Sequence, residues 1–138
     1  LIQKIASVYG SQSVVGSIDT KKNILGKYRA YALSANLNTG KEPVEWAALL
    51  EKSGVGEIMI NAIDRDGTWL GYDEELISKV ASAVSIPVVA CGGAGSFNDF
   101  EKAVHAGASA VAAGSLFVFQ KKGMGVLISF PNNKLKIF

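Results

Sequence analysis

The feature that most constrains this chain is an alternation of short apolar runs with stretches whose apolar residues recur at helical spacing. Four runs read as strands: Ser13 to Ile18, Glu57 to Ile63, Pro87 to Cys91 and Ala110 to Leu116. They are apolar on both faces, and amphipathic stretches lie between them. This pattern predicts an α/β protein with a parallel sheet covered by helices.

The helical stretches carry their own punctuation. Leu1, Ile2, Ile5 and Val8 keep a helical period that Gly10 stops. Pro43 suits a first turn, and the stretch it opens ends at Ser53-Gly54. Asp73 caps a helix carrying Leu76, Ile77, Val80, Ala81 and Val84. Ser96 with Asp99 resembles a shortened capping box before Phe97, Phe100, Ala103 and Val104, a pattern that Gly107 closes. Between the first strand and the second helix, Thr20 to Gly40 shows no helix period. There Lys27 to Ala32 alternates like a hairpin strand and Asn38-Thr39-Gly40 reads as a turn, an insertion. The segments Ser53 to Ile58 and Ala106 to Val111 both run from a helix end through glycine into a strand. A repeat two strand-helix units apart suits a barrel better than an open doubly wound sheet.

Composition excludes several classes. The 138 residues hold 14 basic and 12 acidic side chains, a net charge of +2 without clustering, so no nucleic-acid partner is expected. A single cysteine rules out a disulfide scaffold, and one His with one Cys cannot assemble a zinc site of the usual spacing. No apolar run approaches the ~18 residues of a membrane span. The expectation is a soluble, cytoplasmic protein with no metal, although a mean hydropathy of +0.24 is apolar for so small a chain.

Polar residues gather at the C-terminal ends of the strands, the ligand side of parallel α/β proteins. Asp19 follows the first run. Asn61 and Asp64 close the second, and Asp66 follows in a DRDGT loop whose Gly67 allows a tight, anion-binding turn. Cys91 precedes Gly92-Gly93-Ala94-Gly95, where backbone amides can approach a phosphate at a helix start. Gly114-Ser115 adds amides and a hydroxyl after the last strand. Glycine-rich ends on two consecutive final strands form a phosphate cradle. His105 is expected at the surface, and Lys121-Lys122 with Asn132 to Phe138 as solvated sequence.

In order, VVGSID, the NTG turn, EWAALLEKSGVGEIMINAIDRDGTWLGYD, PVVACGGAGSFNDF and GASAVAAGSLF resemble the cyclase subunit (HisF) of imidazole glycerol phosphate synthase. The likeness covers residues 1–119 and corresponds to the C-terminal half of that family's (βα)8 barrel. It implies strands five to eight with covering helices and a small hairpin insertion, followed by a tail over 120–138. The family takes ammonia from a glutaminase subunit, cleaves a bisphosphorylated nucleotide and closes an imidazole ring, in histidine biosynthesis. It needs no cofactor.

Carried over, Asp19 matches a catalytic acid/base aspartate. Asn61, Asp66, Gly67 and Cys91 match substrate positions, and Gly93, Gly114 and Ser115 match one of two phosphate sites. Asn61 stands where the biosynthetic enzymes usually have Thr, and Cys91 where they usually have Ser. The ending FVFQKKGMGVLISFP resembles a paralogous branch that partners an amidotransferase in surface-sugar modification. A barrel of this kind needs ~250 residues. The 138 present are therefore expected to lack the other catalytic aspartate and to be inactive alone. Two exposed sheet edges would favour self-association, or pairing with a complementary N-terminal half. The alternative to an enzyme fragment is a non-catalytic, self-associating phosphate-binding module.

Overall fold

A computed structural model of the chain describes residues 1–33, 36–119, 123 and 125–128. Helix α1 (Ile2–Tyr9) and a single 3-10 turn lead into strand β1 (Val15–Lys22), which a hairpin joins to β2 (Tyr28–Ala32) and β3 (Leu37–Asn38). Then come α2 (Pro43–Lys52), β4 (Glu57–Ala62), α3 (Glu74–Ala81), β5 (Val88–Cys91), α4 (Asn98–His105), β6 (Ala110–Ala112) and the short α5 (Ser115–Val118). The sheet order is β3-β2-β1-β4-β5-β6. Strands β1, β4, β5 and β6 are parallel, while β2 and β3 are antiparallel additions at one edge. The expected four parallel strands with a hairpin insertion are what the chain forms.

The two sheet faces differ. Ile18 and Thr20, Ile58, Ile60 and Ala62, and Val88 and Ala90 are buried on one face beneath the helices. The apolar ones join Ala47, Leu76, Val80, Phe100 and Ala103 in one core. Burying each large aliphatic contributes about 1.5–3 kcal/mol. On the opposite face the alternate residues stay accessible, with Val15 at 55% exposure. Asp19, Asn61, Cys91 and Ala112 are register partners and form one row across that open face, at the C-terminal end of the sheet.

The repeat seen in the sequence is a repeat of backbone geometry. After α2, Gly54 N–H donates to Glu51 O and Val55 N–H to Leu50 O; after α4, Gly107 N–H donates to Val104 O and Ala108 N–H to Ala103 O. Both are Schellman closures, with φ of 98° at Gly54 and 109° at Gly107. The next equivalent residues, Gly56 and Ser109, donate to Val14 O, just before β1, and to Val88 O, at the start of β5.

Several boundaries shift. The first strand begins at Val15 because residues 11–13 form the 3-10 turn, and it runs on to Lys22 because Thr20 to Lys22 pair with the hairpin. Asp19 therefore lies inside β1, one residue before the end of its parallel pairing. The last strand stops at Ala112 instead of Leu116, since Gly114 turns the chain into α5. Helix α3 ends at Ala81, before Val84. Of the expected tail, only Gly123 and residues 125–128 are described, and Val126 bridges Phe119. Lys121, Lys122 and Asn132 to Phe138 lie outside the described residues.

Candidate functional site

Six of the eight residues singled out in the sequence, Asp66, Gly67, Cys91, Gly93, Gly114 and Ser115, line one cavity at the C-terminal end of β4, β5 and β6. The other two adjoin it. Asn61 Nδ2 donates to Asp19 Oδ1 at 3.1 Å, and Cys91 is the register partner of Asn61 on the next strand. The acidic end of the row is thus joined to the glycine-rich cavity through the sheet itself.

The loop after β4 forms one wall. Arg65 and Asp66 N–H both donate to Ala62 O, Thr68 N–H returns to Arg65 O, and Gly67 takes a φ of 70°. Its far end docks on the glycine turn, where Gly71 N–H donates to Gly93 O at 2.8 Å. A Cβ on Gly93 would collide with Gly71 O, so only glycine permits this approach. Tyr72 Oη, on the same loop, donates to Ala112 O at 2.9 Å. Burial pushes the Tyr72 phenol up, with further contributions from Cys91 and Asp99, so it remains a donor.

One expectation changes here. Asp99 Oδ2 accepts from Gly95 N–H, Ser96 N–H and Ser96 Oγ. The carboxylate thus occupies the positive end of α4 where the sequence suggested a phosphate. It is the reverse half of a capping box: Asp99 reaches back to Ser96, whose hydroxyl donates to Asp99 and leaves the Asp99 N–H to its carbonyl. The part of the turn facing the cavity is Gly92 to Ala94.

Charge around the site is mostly negative. No Lys or Arg lines the cavity among the described residues, so an anion there would be held by backbone amides and the Ser115 hydroxyl. Burial raises the Cys91 thiol, and the Asp66 and Asp19 charges raise it further, which keeps it protonated at neutral pH. Cys91 is therefore a neutral part of the cavity wall. Asn61 Oδ1 is buried without a hydrogen-bond partner among the described residues, and it lies 2.9 Å from where a Cβ on Gly92 would be. Asp64, also at the strand end, accepts from Lys22 N–H and ties the loop to β1. His105 is exposed on α4 and contacts Glu101 O, away from the site. No metal-binding cluster occurs among the described residues, and no helix among them is long and apolar enough to cross a membrane.

Arg65, which no motif marks, donates to the carbonyls of Gly71 and Tyr72. Its signal was present: it is one of two arginines in the chain and sits between the two aspartates of the loop.

Residues 1–122 match the histidine biosynthesis protein family. The chain belongs to that family. It is 50% identical to a Pseudomonas aeruginosa protein named for imidazole glycerol phosphate synthase subunit hisF2, over 99% of this chain and 55% of that protein. It is also 50% identical to imidazole glycerol phosphate synthase subunit HisF of Pyrobaculum aerophilum, over 87% of this chain and 47% of that one. HisF of Alkaliphilus metalliredigens is 43% identical over 88% and 48%. The chain thus spans about half the length of the curated relatives it matches. Its mostly parallel sheet with covering helices is a partial (βα)8 barrel of this family.

Proposed function

We propose that the chain supplies one half of a cyclase active site of the imidazole glycerol phosphate synthase type. Asp19 serves as one of two acid/base carboxylates and the Gly93, Gly114 and Ser115 cavity holds one phosphate of a bisphosphorylated substrate. The observation that carries this is the joining of Asp19, through Asn61 and the strand register, to a cavity walled by glycine turns and Asp66. Ring closure and C–N cleavage both move protons, and a positioned carboxylate contributes about 10²–10⁴-fold. A second carboxylate and a second phosphate site belong to a complementary half. The full site takes ammonia from a glutaminase partner, in the cytoplasm, and releases imidazole glycerol phosphate and an aminoimidazole carboxamide ribonucleotide.

A second reading, a surface-sugar branch using the same barrel half, has one observation in its favour. The match to the Pseudomonas protein runs through 99% of this chain, including the ending that departs from the biosynthetic pattern, whereas the Pyrobaculum match covers 87%. The cavity chemistry is common to both branches. It is tested by titrating the chain with inorganic phosphate and following amide resonances. Saturable shifts at Gly93, Gly114 and Ser115 are expected, and the absence of any response there would remove the cradle from the account.

A further inference from the structure

The loop after β4 reaches both flanks of the cavity through two adjacent residues. Gly71 N–H donates to Gly93 O on the glycine turn, and Tyr72 Oη donates to Ala112 O at the end of β6. The backbone carbonyls of these same two residues accept from one side chain. Arg65 Nη1 lies 3.3 Å from Gly71 O and 3.1 Å from Tyr72 O, while Nε lies 3.6 Å from Asp73 Oδ2.

Asp73 is itself fixed. It is 5% exposed, and its Oδ1 accepts from Tyr28 Oη at 2.8 Å and from Leu76 N–H at 3.1 Å. The guanidinium is therefore held between a buried carboxylate and the two carbonyls that aim the loop. A Cβ on Gly93 would also lie 3.1 Å from Arg65 Cβ, so the turn and the base of this side chain are neighbours. Asp66 and Gly67, the next two residues, are cavity walls, yet Arg65 is not.

We propose that Arg65 is a positioning residue of the anion cavity. It acts through Gly71 and Tyr72, keeps Asp66 and the Gly92-Gly93 turn at a fixed separation, and does not touch the ligand. A planar fork that serves two carbonyls and a carboxylate at once is chemistry that Lys, a point charge, reproduces only in part. This inference rests on the phosphate reading of the cavity for its ligand, but the clamp can be measured without one.

The test compares the full chain with Arg65→Met and Arg65→Lys by amide hydrogen exchange and by titration with inorganic phosphate. Exchange at Gly71 N–H should be at least about tenfold faster in Arg65→Met and intermediate in Arg65→Lys, as expected for losing charge-assisted hydrogen bonds. The Ile60 and Val88 amides should keep their protection. Phosphate affinity should fall in the same order. Gly71 exchange within about twofold of the original chain would overturn the proposal. So would weakened phosphate binding with Gly71 fully protected, because Arg65 would then contact the anion directly. If the unaltered chain shows no phosphate response, the phosphate reading fails and Gly71 exchange alone decides the clamp. If Arg65→Met does not fold, Arg65→Lys carries both readouts.

Discussion

Asn61 Nδ2 donates to Asp19 Oδ1 at 3.1 Å from the position directly paired with Asp19 on the neighbouring strand. One carboxylate oxygen of Asp19 is thereby oriented by the sheet. In a barrel completed by a complementary half, Asn61→Leu should lower ammonia-dependent turnover about 10- to 100-fold, the scale of a hydrogen bond to a charged group. The effect should vanish on an Asp19→Asn background, because Asn61 acts through Asp19. Rates of the two single variants and the double variant check this; additive losses would place Asn61 in an independent role.

Gly93→Ala should be far costlier than Gly26→Ala. Both glycines have positive φ, but a Cβ on Gly93 meets the Gly71 carbonyl whereas one on Gly26 meets nothing within 4 Å among the described residues. The left-handed backbone alone costs about 1 kcal/mol. Gly26→Ala should therefore lose about that much in chemical denaturation, and Gly93→Ala clearly more, together with its phosphate response. Equal losses would mean that the loop yields to the new side chain.

The Cys91 thiol is raised above its ordinary 9.0 by burial and by Asp66 and Asp19. A raised pKa means less thiolate at pH 8, so alkylation by iodoacetamide should be slower than for a free cysteine. The pH midpoint of its rate should be correspondingly higher. A rate equal to that of an unstructured peptide would contradict the enclosed, acidic setting.

Glu75 binds Lys79, Lys22 and Tyr28, which together pull its carboxyl from the ordinary 4.5 down to about 2, with Lys79 first. A depressed folded-state pKa gives stability that is present above about 4.5 and is lost as the pH falls toward 2. The Tm of the chain should fall over that window more steeply than that of Glu75→Gln. Because the group is exposed, the difference should shrink in high salt. Parallel Tm curves would mean that the Glu75 contacts do not stabilise the fold.

Much of this was legible in the residues. Apolar runs ending in Asp, Asn or glycine define both the strands and the side of the sheet that carries chemistry. The paired Gly54 and Gly107 turns follow from helix-stop signals that are local in sequence. What escaped depends on which backbone groups and strands meet, which the pattern of apolar and polar residues does not encode. Asp19 lies within a strand instead of at its tip because Thr20 to Lys22 find the hairpin, which local propensity cannot register. The capping pair of Ser96 and Asp99 is legible, but not that the carboxylate also takes Gly95 N–H and so fills the helix start where a phosphate was expected. Arg65 reads as one charge in a polar loop until the carbonyls of Gly71 and Tyr72 converge on it. Backbone acceptors carry no residue label, so no motif announces them.

The most direct measurement is turnover of the bisphosphate substrate with ammonia, for this chain alone and mixed with the N-terminal half of a HisF relative. The account predicts no turnover by the chain alone, turnover on mixing, and a loss of about 10²–10⁴-fold in that mixture when Asp19 is replaced by Asn. Turnover by the chain alone, or a mixture indifferent to Asp19→Asn, would contradict it.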